Sequence, residues 1–209
     1  MSVKCCYYDV SELADSTLFS KAMDAITCRD RIEKVNRYKF DKDKRLCLGA
    51  GLLAETMLKQ AGADNISIII SQHGKPILAD RSDIHFNLSH DGTLAVCAVS
   101  DSPVGVDVQK KTAYNPAVAK RVFKPCEIEW ADICIDKDEA FTRLWARKES
   151  YVKFLGRGLL QDTSTFSVVP GNESCKDVCF TEFTVGDYLI CVCCSKGETV
   201  TFDKFNSFW

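Results

Sequence analysis

The sequence lacks the features of a membrane-bound or secreted protein. None of its apolar runs approaches the roughly 18 residues that a membrane-spanning helix requires. The opening residues, MSVKCC, contain neither the apolar region of a signal peptide nor a myristoylation pattern. There is no low-complexity segment or obvious linker either. We therefore expect a globular cytoplasmic protein with no membrane partner.

A strong excess of one charge is also missing. The net charge of −2 gives no argument for a nucleic-acid partner, and we expect none. The charges are nevertheless unevenly distributed: Arg29–Arg45 holds eight basic and four acidic residues, and Lys110–Lys124 holds five basic residues and no acid. Residues 126–139 then carry six acids against one lysine. Such runs are often solvated faces, and the alternative is a surface for an anionic ligand or an acidic protein.

Paired cysteines at the spacing of a zinc site are absent as well. The chain has twelve cysteines, but neither Cys175 and Cys179 nor the group Cys191, Cys193 and Cys194 has a matching pair elsewhere in the sequence. Most lie in apolar, strand-like runs such as LAVCAVS and LICVCCS, without a secretory signal. The sequence therefore favours buried free thiols over disulfides or metal ligands.

Mixed periodicities indicate an α+β protein of one large or two small domains. A 3.6-residue period through Leu46, Ala50, Leu53 and Met57 predicts a long helix that Gly62 would stop. A second helix is predicted around Trp145. Strands are predicted at Cys5–Val10, Ile66–Ile70, Leu94–Val99, Val104–Val108, Phe166–Val169, Val178–Val185, Tyr188–Cys194 and Val200–Phe202, with residues 71–92 as a loop.

The two halves of the chain resemble each other weakly. Each runs from helix to strands, and TLAVCAVS near the end of the first half resembles YLICVCCS near the end of the second. An internal duplication is one interpretation, and two unrelated hairpins are the other. A duplication would give similar halves at 1–103 and 104–209, with a ligand cleft between them.

The segment WARKESYVK, residues 145–153, sets an acid and a base one helical turn apart. Glu149 and Lys153 would share a face with Trp145 one turn earlier. An i, i+4 Glu–Lys pair commonly does no more than support a solvent-facing helix. The alternative is an acid that holds a metal and a base that meets a phosphate, which requires a second acid elsewhere.

Asp107 is the candidate second acid. In the strand VGVDVQ, Val104, Val106 and Val108 would face the core, so Asp107 and Gln109 would share the other, exposed face. An acid on a strand and another on a helix can hold Mg²⁺, which completes its shell with water and phosphate oxygens. Alone, however, an exposed strand acid is ordinary.

Two further short motifs offer groups for phosphate oxygens. Ser89 and His90 of FNLSHDG precede a turn, and Lys75 of HGKP lies in a loop between glycine and proline. Local hydrogen bonding within a turn would explain the first motif equally well.

Taken together, the motifs resemble the larger, Sfp-type 4′-phosphopantetheinyl transferases. The segments that carry the resemblance are GKP (74–76), FNLSH (86–90), GVDVQ (105–109), AKRVF (119–123) and LWARKESYVKFLGRGL (144–159). They come in the family's order and at similar spacings. The resemblance implies two α+β halves related by a pseudo-twofold axis, with coenzyme A bound between them. It also implies transfer of 4′-phosphopantetheine to a serine of an acyl or peptidyl carrier protein, as in holo-acyl-carrier-protein synthases.

The resemblance further implies roles for individual residues. Asp107 and Glu149 would hold Mg²⁺ (or Mn²⁺), Lys153 would neutralise or protonate the leaving oxygen, and Glu149 or a metal-bound water would be the base. The nucleotide phosphates would be held by basic and hydroxyl side chains: Arg31, Lys34, Arg45, Lys75, Ser89, His90, Lys148 and Lys153. Many members have an acid where this chain has Gln109, so Gln109 would bind the metal weakly or through water.

The resemblance implies a monomer that docks an acidic carrier protein. The acid-free stretch 110–124, with Val122 and Phe123 among its bases, is the candidate docking surface. Two alternative functions remain. A Mg²⁺-dependent pyrophosphatase acting on coenzyme A or a nucleotide would use the same groups with water as the nucleophile. A non-catalytic coenzyme A-binding module would bind without turnover.

Overall fold

The structure is a computed structural model that describes residues 2–156 and 162–206. Its helices are α1 (Ser16–Ala25), α2 (Arg29–Arg37), α3 (Asp41–Gln60), α4 (Pro116–Val122), α5 (Pro125–Ile133) and α6 (Lys137–Leu155). Its strands are β1 (Ser2–Asp9), β2 (Ile68–Ile70), β3 (Pro76–Leu78), β4 (His85–Asp91), β5 (Leu94–Ser100), β6 (Val104–Lys110), β7 (Val178–Val185), β8 (Tyr188–Ser195) and β9 (Thr199–Lys204).

The first sheet has the strand order β4-β5-β1-β9 and carries α3 on one face. The predicted helix around Leu53 and Met57 is confirmed, and both side chains are buried against this sheet. The side chains of strand β5 point alternately to the two faces of the first sheet, as the two-residue period of a strand requires. Ala95, Cys97 and Val99 face α3, while the opposite face, which includes Leu94 and Val96, packs against the second sheet.

The second sheet has the order β6-β8-β7 and carries α6 on its outer face. Val104, Val106 and Val108 enter the core between the two sheets, as the alternation in VGVDVQ predicts. The layers are therefore α3, first sheet, second sheet and α6. The α+β fold class is confirmed, and in each half one long helix packs on one antiparallel set of strands.

Strand β9 crosses from the second half to the first. Thr199–Lys204 pairs in parallel with β1, so that the end of the chain extends the sheet of the N-terminal half. The division at 103/104 stays a prediction, and β9 lies outside a simple split at that point.

Two predicted elements differ from the structure. The segment predicted as a loop between residues 71 and 92 contains β3 and β4, because Ser89 and its neighbours pair fully with β5. Phe166–Val169 is not a strand. The N–H of Val168 donates instead to Glu127 and that of Ser167 to Ser174, so side chains replace a neighbouring strand as the acceptors.

Most of the cysteine side chains are buried. All twelve cysteines are free and only Cys126 is exposed, which confirms the prediction of mostly buried thiols. Over the described ranges 2–156 and 162–206, no helix is both long enough and apolar enough to cross a membrane.

Candidate active site

Helix α6 approaches strand β6 closely because position 105 is glycine. A Cβ atom at Gly105 would collide with the carbonyl oxygen of Ser150 and the backbone nitrogen of Phe154. Asp136 caps the start of the helix, where its carboxylate accepts from the N–H of Glu139, and Gly156, in the left-handed conformation, caps its end. The contact at Gly105 brings the last turns of α6 over Asp107.

Asp107 is the centre of a dense polar network. One carboxylate oxygen lies 2.6 Å from the ammonium of Lys153 and 2.8 Å from the hydroxyl of Ser89. The other oxygen accepts from the amide nitrogen of Gln109 at 2.8 Å. The Ser89 hydroxyl also accepts from Lys153 at 2.9 Å and from the N–H of Val108 at 3.3 Å. Ser89 therefore uses its donor and both acceptor positions inside the network.

The prediction that Asp107 stands on an exposed face is wrong. Its side chain is only 4% exposed, because α6 covers the face of β6 that Gly105, Asp107 and Gln109 share. A buried carboxylate requires charged or hydrogen-bonding partners, and Lys153 supplies the charge. Ser89 was predicted to bind phosphate, but in the structure it orients Asp107 and Lys153.

Glu149 lies one turn before Lys153 on the same face of α6 and lines the cleft. Burial raises the pKa of Glu149, the charge of Asp107 raises that pKa further, and Lys153 partly offsets both effects. Two carboxylates that repel each other provide the donor atoms and negative charge that suit a hard cation.

A cation at this pair would take most of its shell from other groups. Within the described ranges no cluster of three or more His, Cys, Asp and Glu side chains could hold a metal, so the protein offers two carboxylates. The amide of Gln109 points its nitrogen at Asp107, and its oxygen would serve as a ligand only after the amide turns over. Water and ligand oxygens would complete the shell, which is common for Mg²⁺.

Basic residues from the first half and Lys153 influence the pKa of His90. His90, at the end of β4, has its pKa lowered first by desolvation, then by the charge of Lys153, and less by Lys34 and Arg31. Arg31 packs against α3 where Gly51 leaves room for its side chain. The charges of Arg31, Lys34 and Lys153 thus all lie close enough to His90 to lower its pKa.

Three residues predicted to hold phosphates are placed differently. Arg45 lines a separate small pocket with Leu13 and Phe19. Lys75 lines the cleft with Glu149 and Lys153, but its ammonium donates to two backbone carbonyls.

Lys148 is the third of these residues, and the structure does not offer it to a phosphate. Its side chain is 3% exposed, and its ammonium pairs with the buried Glu127 at 2.9 Å. The same ammonium donates to the carbonyls of Thr163 and Phe166. Helical spacing explains the correction, since Lys148 precedes Glu149 by one residue and points to a different side of α6.

The cleft itself lies between the two halves and has a volume of about 660 Å³. The turn at residues 73–76 and strand β4 form one wall, and α4 and α6 form the other. Trp145, Glu149 and Lys153 all line it, as their common face on α6 requires. Arg157, Gly158 and Leu159 of the LWARKESYVKFLGRGL motif lie outside the described residues.

Two residues of β4 were missed by sequence reasoning. The side chains of Asn87, Ser89 and Asp91 accept from the backbone N–H groups of Val106, Val108 and Lys110. This ladder joins the edge of the first sheet to the edge of the second. The polar residues alternate along FNLSHD, a two-residue period that indicates a strand with one polar face.

Fold and site together define an α+β protein of two halves whose cleft is lined by Glu149 and Lys153, beside the buried Asp107. Two family models match the chain in succession. One, described as 4′-phosphopantetheinyl transferase, N-terminal, covers residues 14–102. The other, the 4′-phosphopantetheinyl transferase superfamily, covers residues 103–194.

Similar proteins carry the same family name. The chain is 36% identical over 146 residues to 4′-phosphopantetheinyl transferase Sfp of Bacillus subtilis (strain 168), which covers 66% of this chain and 64% of that relative. It is 34% identical over 155 residues to a 4′-phosphopantetheinyl transferase of Bacillus subtilis, covering 71% and 68%. The match to 4′-phosphopantetheinyl transferase HetI of Nostoc sp. is 34% over 141 residues, covering 62% and 60%. The chain therefore belongs to the 4′-phosphopantetheinyl transferase family, and it spans about two thirds of the length of these relatives.

Proposed function

We propose that this protein transfers 4′-phosphopantetheine from coenzyme A to a serine of acyl or peptidyl carrier proteins, releasing adenosine 3′,5′-bisphosphate. One observation carries the proposal: α6 presents Glu149 and Lys153 to the inter-half cleft beside the buried Asp107. The basic cluster of Arg31, Lys34 and His90 lies next to them and suits the phosphates of coenzyme A. Family membership supports the same reaction.

In this reaction the serine oxygen of the carrier protein forms a bond to the phosphorus that bears pantetheine. The bond from that phosphorus to the bridging oxygen of the pyrophosphate breaks. The serine proton passes to a base, for which Glu149 is the candidate because its raised pKa makes it a better proton acceptor than an ordinary glutamate. Lys153, which lines the cleft, is the proposed group that neutralises or protonates the departing bisphosphate oxygen.

Asp107 and Glu149 are the residues that would hold Mg²⁺ (Mn²⁺ is an alternative), with Gln109 as a weak or water-mediated ligand. The bound cation would neutralise charge on the pyrophosphate. Lys153 pairs with Asp107 at 2.6 Å and also lowers the pKa of Glu149, so its charge offsets that of both acids.

For the carrier protein, helix α4 is the part of the predicted docking stretch 110–124 that we propose as the docking surface. Lys111 pairs with Asp136, and Phe123 is buried in the core of the second half, which corrects its predicted role as a surface contact. Lys120 and Arg121 remain exposed, and Val122 lines the cleft next to them. Two positive charges beside a partly exposed valine suit the acidic helix of a carrier protein.

The proposal is tested by intact-protein mass spectrometry of an apo carrier protein incubated with this protein, coenzyme A and Mg²⁺. We expect a mass increase of one phosphopantetheine that is lost with a chelator and in the Asp107→Ala and Glu149→Gln variants. Glu129→Gln, an exposed acid on α5, is the matched control and keeps the activity.

Other outcomes favour the alternatives. Cleavage of coenzyme A without a carrier protein would indicate a pyrophosphatase. Binding of coenzyme A with no turnover, across several carrier proteins, would indicate a non-catalytic binding module. A monomeric state and a cytoplasmic location belong to the proposal and are checked by light scattering and by fractionation.

A further inference from the structure

Lys75 makes an unusual connection between the two halves. It lies in the turn between β2 and β3, and its ammonium crosses to the second half. There it donates to the carbonyl of Lys153 at 2.7 Å and to the carbonyl of Val104 at 2.9 Å. Its aliphatic stem passes Gly156 at the end of α6. One side chain thus contacts the end of α6 and the start of β6.

These two carbonyls belong to the elements that position the site. The Lys153 carbonyl lies in the last turn of α6, where carbonyl groups lack partners within the helix and a cation is favoured. Val104 begins the strand that carries Asp107 three residues later. Lys75 therefore bonds to the end of α6 and to the start of β6, the two elements that carry Lys153 and Asp107.

The ammonium of Lys75 has no acidic partner in the part of the chain that the structure describes. No carboxylate there lies within ion-pairing distance of it, and burial lowers the pKa of Lys75 to about 8. Two titratable groups interact electrostatically with Lys75. Cys193 on β8 raises the pKa of Lys75, and Lys75 lowers the pKa of His85 on β4. A desolvated ammonium requires its hydrogen-bond acceptors, and here these are two backbone carbonyls. An ammonium that binds phosphate would instead keep its donors available to the ligand.

We propose that Lys75 is a positioning residue that fastens the first half to α6 and β6, and that it is not a ligand for the nucleotide phosphates. The kinetic part of this inference rests on the proposed transferase function. The binding and spectroscopic parts do not.

The test compares Lys75→Met with Lys34→Met, since Lys34 belongs to the basic cluster near His90. Methionine keeps the length and apolar character of the stem and removes the donors. For Lys75→Met we expect kcat for transfer to fall roughly ten- to hundredfold, because the reacting groups shift. The KM and the calorimetric Kd for coenzyme A should stay within about twofold of the wild type. For Lys34→Met we expect the opposite: the KM and Kd for coenzyme A rise, and kcat stays close to the wild-type value.

A spectroscopic measurement locates Lys75 independently of activity. Burial and then the charge of Lys75 lower the pKa of His85, while Asp101 and Asp83 raise it. NMR titration of His85 should therefore show its pKa rising in Lys75→Met and staying unchanged in Lys34→Met. If Lys75→Met does not fold, Lys75→Gln replaces it in all three measurements.

Two results would overturn the inference. One is a loss of coenzyme A affinity in Lys75→Met as large as that in Lys34→Met, with kcat retained. The other is a His85 pKa that does not respond. If the wild type transfers nothing, the proposed function fails, and coenzyme A affinity and the His85 titration still decide the role of Lys75.

Discussion

Lys153 is the residue on which the charge balance of the cleft depends. Its ammonium lies 2.6 Å from Asp107 and close enough to Glu149 to oppose the rise of that residue's pKa. A cation that binds to the two acids must therefore displace Lys153 from Asp107 or share the carboxylate with it. The phosphates of a nucleotide would draw Lys153 away, so that metal and ligand should assist each other's binding.

We predict that Lys153→Met binds Mn²⁺ more tightly than the wild type in the absence of coenzyme A. The ammonium no longer competes for Asp107, and the gain should be roughly tenfold, or about 1.4 kcal/mol. Electron paramagnetic resonance of free Mn²⁺ measures the affinity. Lys59→Met, at an exposed position on α3, is the control and should bind like the wild type. Unchanged affinity in Lys153→Met would show that Lys153 does not compete.

Glu149 provides a second prediction at the scale of the residue. Its pKa is raised in the folded protein, so folding disfavours the charged form, and this cost is present once the pH exceeds the folded pKa. Glu149→Gln should therefore raise Tm by about 2 °C at pH 7.5 in the presence of a chelator. Calorimetry should show the difference shrinking as the pH falls toward 4.5, the ordinary value for glutamate.

The exposed variant Glu129→Gln serves as the control, since it removes a charge that is not desolvated. Its Tm should match that of the wild type. A lower Tm for Glu149→Gln would mean that the charge of Glu149 stabilises the fold, contrary to the electrostatics described above.

At the scale of elements, the contact between α6 and β6 determines the site. Lys153 reaches Asp107, with Glu149 one turn earlier, because Gly105 lets the helix approach the strand. The N-cap at Asp136 and the left-handed Gly156 set where α6 begins and ends. The register of the helix over the strand therefore depends on local sequence at both ends and on one glycine.

Gly105→Ala should destabilise the protein by about 1–3 kcal/mol and reduce transfer, because the added methyl group collides with the backbone of α6. Urea unfolding gives the change in stability. Gly171→Ala is the control: its φ of +77° is strained for alanine but its surroundings are open, so it should cost only about 1 kcal/mol and leave activity intact. Equal effects on activity would argue against the role of the helix contact.

At the scale of the whole molecule, the two halves are joined by several kinds of contact. Strands β4 and β6 belong to different sheets, and the side chains of Asn87, Ser89 and Asp91 bridge them at every second residue. Strand β9 adds a backbone connection in the sheet of the first half. The two halves that form the cleft are therefore bonded to each other through β4 and β6 and through β9 and β1.

Asn87→Ala should cost about 1–3 kcal/mol of unfolding free energy, since the buried N–H of Val106 loses its acceptor. The same urea experiment applies. Asn36→Ala, at an exposed position on α2, should change stability little. A small effect for Asn87→Ala would show that water replaces the amide oxygen between the sheets.

Lys120 and Arg121 of α4 carry the exposed positive charge of the proposed docking surface. Reversing Lys120 and Arg121 to glutamate should raise the KM for a carrier protein about tenfold and leave the KM for coenzyme A unchanged, because the change repels an acidic partner. Steady-state kinetics with each substrate varied in turn measures both values. Reversing Lys39 and Lys42, exposed bases in the first half, is the control for total charge. Equal effects on both KM values would exclude α4 as the docking surface.

Local patterns determined much of this protein. The period through Leu53 and Met57, the alternation in VGVDVQ and the spacing of Glu149 and Lys153 each depend on neighbouring residues, and the structure agrees with all three. The order of the motifs was sufficient to predict the family. Strand β4 was missed because its polar residues suggested a loop, although they pair with another sheet.

Only the tertiary structure decided which groups meet across the chain. Asp107 is buried because α6 packs over its strand. Lys148 does not face a phosphate site because it pairs with Glu127, 21 positions earlier in the chain. The same is true of Lys75, whose partners lie 29 and 78 residues away. Periodicity specifies which face of its own element a side chain occupies, whereas its partners depend on how distant elements pack.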